Sequence, residues 1–148
     1  PYRRQRQMCI RDRNGEVDAN MIDTNVLISA ILNPKGTPFQ AYLKAVSFPN
    51  HALICDQNIE EFDGYLINNF QKESSIKPFP VIALLSIEIV QIPTDETDSE
   101  SLIRDTADRP ILRAAIIANA DILLTGDKDF LESGIDHPQI LTPAQFLE

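Results

Sequence analysis
The stretch Met21–Leu32, MIDTNVLISAIL, places an aspartate directly after an apolar pair and follows it with Thr-Asn and a second apolar run. A short strand that ends in Asp23 and turns into a helix accounts for this pattern. An aspartate there has two uses: it caps the helix, or it joins other acids of the chain at a site. Which one applies depends on where the remaining acids fall.

Strand and helix alternate along the rest of the chain. Asn20–Asp23 reads as the first strand, and Asn25–Asn33 as a helix that NPKG breaks. Thr37 is the expected N-cap of the next helix, with Pro38 at its first position. Ala52–Cys55 is the second strand. Asp56 is expected to cap a helix in which Ile59, Phe62, Leu66 and Phe70 step by three and four along one face. A helix is expected over Pro78–Ser86, a third strand over Ile87–Ile92, and a polar loop over Pro93–Asp108. Asp108 then caps a helix over Arg109–Ala120. Asp121–Gly126 and Gln139–Leu141 are the last strands, and Thr142 caps a final helix. The alternation implies a central parallel sheet of four to five strands, covered on both faces. Right-handed crossovers bring the carboxyl ends of all strands to one edge, where ligands bind in such folds.

At 148 residues and 43% hydrophobic content, the chain is the size of one domain and can build a core. Residues 20–148 are read as that single domain. The opening PYRRQRQMCIRDRN lacks periodicity and resembles translated sequencing-adapter sequence. Residues 1–14 are therefore set apart as an artefactual or disordered extension. Its arginines mask an acidic domain: residues 1–20 hold five arginines against three acids, and the rest holds eight basic against nineteen acidic residues. This balance argues against a broad nucleic-acid-coating surface, though not against a small site where phosphates meet a metal. No apolar run is long enough to span a membrane. Two cysteines, Cys9 and Cys55, form neither a disulfide framework nor a metal spacing, and a cytoplasmic location is expected.

Four acids are expected at the carboxyl edge: Asp23, Glu61, Asp108 and Asp127. Taken singly, each has a plainer reading as a cap, a solvated helix residue or a turn former. Together they repel one another, and divalent cations relieve that repulsion. All-oxygen ligation suits Mg²⁺ or Mn²⁺ better than zinc. Such ions can clamp an in-line phosphodiester displacement.

IDTNVLISAIL (22–32), EEFDGYL (60–66), IRDTADRPILRAAIIANADILLTGDKDF (103–130) and ILTPAQFL (140–147) together resemble the PIN domain family, in particular toxin components related to VapC-type toxins. The resemblance runs from Met21 to the C-terminus. It implies an α/β/α sandwich and a metal-dependent ribonuclease that hydrolyses RNA phosphodiester bonds. The family's catalytic and metal-binding acids fall on Asp23, Glu61, Asp108 and Asp127. Glu61 is preferred to Glu60 by helix register, and Asp108 to Asp105 by its distance from the helix start. Asn25 matches the residue that orients the first acid, Thr125 the hydroxyl before the last, and Asp129 a less regular fifth acid. Cys55 stands where the family usually has serine, which moves the expected cap onto Asp56. A homodimer and an antitoxin partner are usual for the family. Lys35, Arg104, Arg109, Arg113 and Lys128 are candidates for RNA phosphate contacts, Arg113 alternatively decorating a solvated helix face. The competing reading is a PIN-fold scaffold that binds RNA or protein without cleaving. A receiver-type domain fits poorly, because DTN lacks an acid pair and QILTP lacks a lysine.

Overall fold
A computed structural model describes residues 18–70 and 87–148. The opening string and the helix expected over Pro78–Ser86 lie outside the described residues. The strands are β1 (Ala19–Ile22), β2 (His51–Cys55), β3 (Glu88–Val90), β4 (Ile122–Leu124) and β5 (Gln139–Leu141). They form one parallel sheet in the order β3-β2-β1-β4-β5. The helices are α1 (Thr24–Leu32), α2 (Thr37–Val46), α3 (Asp56–Phe70), α4 (Arg109–Ile117), α5 (Lys128–Leu131) and α6 (Pro143–Leu147), with a 3-10 turn over Asp98–Leu102.

Alternation along the strands divides the core between two faces. Ile22, Ala52, Ile54, Ile122 and Leu124 face one way, where they pack with Val26, Leu27 and Ala30 of α1, Ala41, Tyr42 and Ala45 of α2, Phe62 of α3 and Phe146 of α6. Met21, Leu53, Cys55 and Leu123 face the other way, against Ile111, Leu112, Ala114 and Ala115 of α4 and Phe130 of α5. The result is a three-layer α/β/α sandwich. The central strands β1, β2 and β4 are buried on both faces, while the edge strands β3 and β5 are partly exposed.

Strand order reverses at β1. The chain steps outward through β2 and β3 on one side, then returns to place β4 and β5 on the other. The register sets Ile22 beside Leu124, so the residues that follow both strands emerge together at the switch point.

Several boundaries differ from the sequence expectation, each for a local reason. Asp23 leaves β1 and becomes the N-cap of α1. Gly36, not Thr37, holds the cap position of α2, and Thr37 is already helical. Cys55 ends β2 immediately before α3, and its Sγ–H donates to Asn58 Oδ1 at 2.9 Å, while Asp56 Oδ1 accepts the Gln57 N–H at 3.0 Å. α4 stops at Ile117, and two residues later Asn119 takes a left-handed conformation (φ 59°), which asparagine tolerates better than most side chains. Asp121 stands just before β4, and its carboxylate accepts the Ala19 N–H at 2.8 Å. The expected loop after β3 contains the 3-10 turn, held by Glu100. That side chain accepts from the Thr97 N–H (2.9 Å) and from Arg113 (2.8 and 3.1 Å).

Candidate active site at the carboxyl edge of the sheet
Asp23 is buried, with 6% of its surface exposed. Both of its oxygens are engaged. Oδ1 accepts the Thr24 N–H at 2.8 Å, which is the helix-capping contact, and the Asn58 amide at 3.1 Å. Oδ2 accepts the Thr125 hydroxyl at 2.7 Å and the Asn25 amide at 3.3 Å. The cap and the acid site are therefore the same residue. Burial pushes the carboxyl up to about 6. The bonds from Thr125 and Thr24 oppose that rise, and the charges of Glu61 and Asp127 add to it.

The chain after β4 completes this side. The Thr125 hydroxyl that donates to Asp23 accepts the Asp127 N–H at 3.0 Å, and the Gly126 N–H donates to Asn25 Oδ1 at 3.3 Å. Asp127 is the N-cap of α5, its Oδ1 accepting the Asp129 N–H at 2.9 Å. One hydroxyl thus ties the acid of β1 to the backbone of the acid after β4.

Asp108 arrives from the third direction. It occupies the N-cap position of α4 but makes no capping hydrogen bond, contrary to the expectation that it serves as a cap. Its carboxyl is pushed up to about 7, first by burial, then by a hydrogen bond and charge from Asp127, with Asp105 and Asp23 adding.

Glu61 is exposed, whereas its neighbour Phe62 is fully buried, so it projects into water. Its charge still reaches Asp23. Gln57 anchors it: Nε2 donates to Glu61 Oε1 at 3.1 Å and to the Ala107 carbonyl at 2.8 Å, bridging α3 to the loop before α4.

Asp105, Asp108 and Asp129 present carboxylate oxygens within 4.8 Å of one another. Asp105, the alternative to Asp108 in the sequence, thus stands beside it in the same loop. The assembled donors are all carboxylate oxygens, which fit a hard cation such as Mg²⁺ or Mn²⁺. Cys55, linked to Asp23 through Asn58, is no competing ligand. Burial pushes its thiol up to about 12, so it keeps its proton.

The basic candidates separate. Arg104 and Lys128 are exposed beside the acids, and Lys35 is exposed in the turn between α1 and α2. Arg109 Nε donates to the Ile103 carbonyl at 2.9 Å, fastening the loop to α4. Arg113 is not a solvated helix decoration. Its side chain is 13% exposed and fills its fork with Glu100 and the Pro93 carbonyl.

Sequence reasoning missed Asn58 and Gln57. Asn58 is fully buried and also donates to Thr24 Oγ1 at 2.7 Å. The available signal was spacing: Asn58 lies three residues before Glu61 and Gln57 four, so all three share one face at the start of α3.

Residues 20–129 match the PIN domain family. The protein MJ1680 of Methanocaldococcus jannaschii is 26% identical over 142 residues, covering 86% of this chain and 88% of that protein. The fold is like that of a chain in the crystal structure of VapBC2 from Rickettsia felis bound to a DNA fragment from their promoter. There the identity is 19%, the coverage 84% of this chain and 98% of that one, and the TM-score 0.64. Among the described residues no helix is long and apolar enough to cross a membrane. The matched segment contains all of β1 but Ala19, the whole of β4 and every acid gathered between them, and by that match the chain belongs to the PIN domain family.

Proposed function
We propose that this protein is a metal-dependent endoribonuclease and the toxin of a toxin–antitoxin pair, acting in the cytoplasm as a homodimer. One observation carries the nuclease reading. Separate segments of the chain deliver Asp23, Asp108 and Asp127 to the topological switch point, where the carboxyls of Asp23 and Asp108 are held up at about 6 and about 7. Carboxyls raised by burial and by one another at such a switch point mark a candidate functional site, and a cation joining them would relieve their repulsion.

In this reading Asp23, Glu61, Asp108 and Asp127 hold Mg²⁺ or Mn²⁺, with Asp129 at the rim. The bound ion supplies an activated water and screens charge on the phosphate. Asn25, Asn58 and Thr125 hold the Asp23 carboxylate in one orientation before any substrate arrives, so little reorganisation remains at the moment of reaction. Gln57 holds Glu61 at the mouth, where it can orient a water. Lys128, Arg104 and Lys35 offer cations to the RNA backbone. With so few, binding should be modest and salt-sensitive. The toxin assignment rests on the family resemblance, and the likeness to a VapBC2 chain supports it at the level of fold.

End-labelled RNA tests the chemistry. Cleavage in Mn²⁺ that leaves 5′-phosphate and 3′-hydroxyl ends is expected. Ends bearing a 2′,3′-cyclic phosphate would instead mean attack by the ribose and would rule out the hydrolytic scheme.

A further inference from the structure
Arg104 stands in the loop between the 3-10 turn and α4, with 71% of its side chain exposed. It does not point freely into water. Its Nε donates to Asp129 Oδ1 at 3.1 Å, and its Nη2 lies 2.9 Å from the same oxygen and 3.3 Å from Glu132 Oε2. Asp129 is one of the three acids whose oxygens gather within 4.8 Å. A guanidinium thus rests against the acid cluster from outside, as its counter-ion.

Resting on the nuclease reading, we infer that Arg104 is a substrate-phosphate residue which the metal-free protein stores on Asp129, and which metal binding releases. Two features support the exchange. An exposed ion pair is weakly held, so a divalent cation competing for the Asp129 carboxylate displaces the arginine readily. The freed guanidinium then stands at the rim of a site holding a phosphate, and its planar fork suits two phosphate oxygens. Glu132, half of the resting contact, lies outside the acid cluster and keeps the side chain near the mouth. Metal and RNA therefore bind with positive cooperativity, because the ion clears the residue that the RNA uses.

The test measures two bindings on the full chain. Mn²⁺ is titrated calorimetrically without RNA. A short mixed-sequence oligoribonucleotide is then titrated with Ca²⁺ replacing Mn²⁺ to hold back cleavage. Arg104→Ala is expected to tighten Mn²⁺ binding by about two- to fivefold, the upper range for an exposed pair. The same change should weaken RNA binding several-fold and make the salt dependence shallower by about 0.7 in log–log slope, the loss of one phosphate contact. Arg104→Lys keeps the charge and is expected to restore part of the RNA affinity. Glu132→Gln, which leaves Asp129 untouched, is expected to change Mn²⁺ binding little. Weaker or unchanged Mn²⁺ binding in Arg104→Ala would overturn the inference, as would unchanged RNA binding. The parent reading fails separately: Mn²⁺ binding that survives Asp108→Asn, or that is missing from the unaltered chain, would remove the metal site itself.

Discussion
At the scale of single residues the site turns on Asp23, which does two jobs with one carboxylate. Oδ1 caps α1 through Thr24, and Oδ2 is held by Thr125. The position of the acid was legible, because a strand-end aspartate before Thr-Asn stands out against the apolar runs around it. Its support was not. Asn58 and Gln57 look like ordinary polar residues at a helix start, and their partners lie 35 and 50 residues away in the chain. Thr125 provides the sharpest check. Thr125→Val keeps the shape but removes the donor to Asp23 and the acceptor for the Asp127 N–H. The expected loss is about 1–3 kcal/mol in urea unfolding, with weaker Mn²⁺ binding. An unchanged unfolding midpoint would show that this link carries no stability.

At the scale of elements, the strands and most helices follow from the sequence because apolar periodicity reports burial on the sheet. The caps were less legible, since neighbouring residues can exchange the role, as Gly36 and Thr37 do. Thr142 at α6 agrees with expectation: its hydroxyl accepts the Gln145 N–H at 3.1 Å, and Gln145 Oε1 accepts the Thr142 N–H at 2.9 Å. Thr142→Ala should cost about 1 kcal/mol by thermal or urea unfolding. The segment before α4 was read only as polar loop, because its anchor, Arg113, bonds Glu100 across 13 residues and no local pattern announces such a pair. Hydrogen bonds from Arg113 hold the Glu100 carboxyl down at about 2. A depressed carboxyl stabilises the fold above its unfolded value and loses that contribution as pH falls towards the folded one. Glu100→Gln should therefore lower the melting temperature near neutrality and shrink the loss of stability below about pH 4. A variant that melts like the parent at both pH values would contradict this.

At the scale of the whole molecule, the fold is a device for concentrating negative charge. A five-stranded sheet and two helical layers bring acids far apart in sequence to the switch point beside β1 and β4. Both Asp23 and Asp108 titrate higher in the folded chain than in an unfolded one. The folded state therefore holds their protons more tightly, and stability of the metal-free protein falls as pH rises from about 4 to about 7. Differential scanning calorimetry should show this decline without metal, and Mn²⁺ should oppose it, most strongly at the upper end. A melting temperature that is flat across that range, with or without Mn²⁺, would contradict the electrostatic account. Expression in a bacterial host extends the test to the toxin reading: growth arrest by the parent and not by Asp23→Asn is the expected outcome.

The central claim is that the gathered carboxylates form a cation site. Titrating Mn²⁺ into the full chain by calorimetry, beside Asp23→Asn and Asp108→Asn, tests it without any knowledge of the RNA. The account predicts saturable binding in the micromolar to sub-millimolar range, accompanied by proton release near pH 6, and a marked loss of affinity in both variants. Binding that both variants retain, or no binding to the unaltered chain even with RNA added, would contradict it.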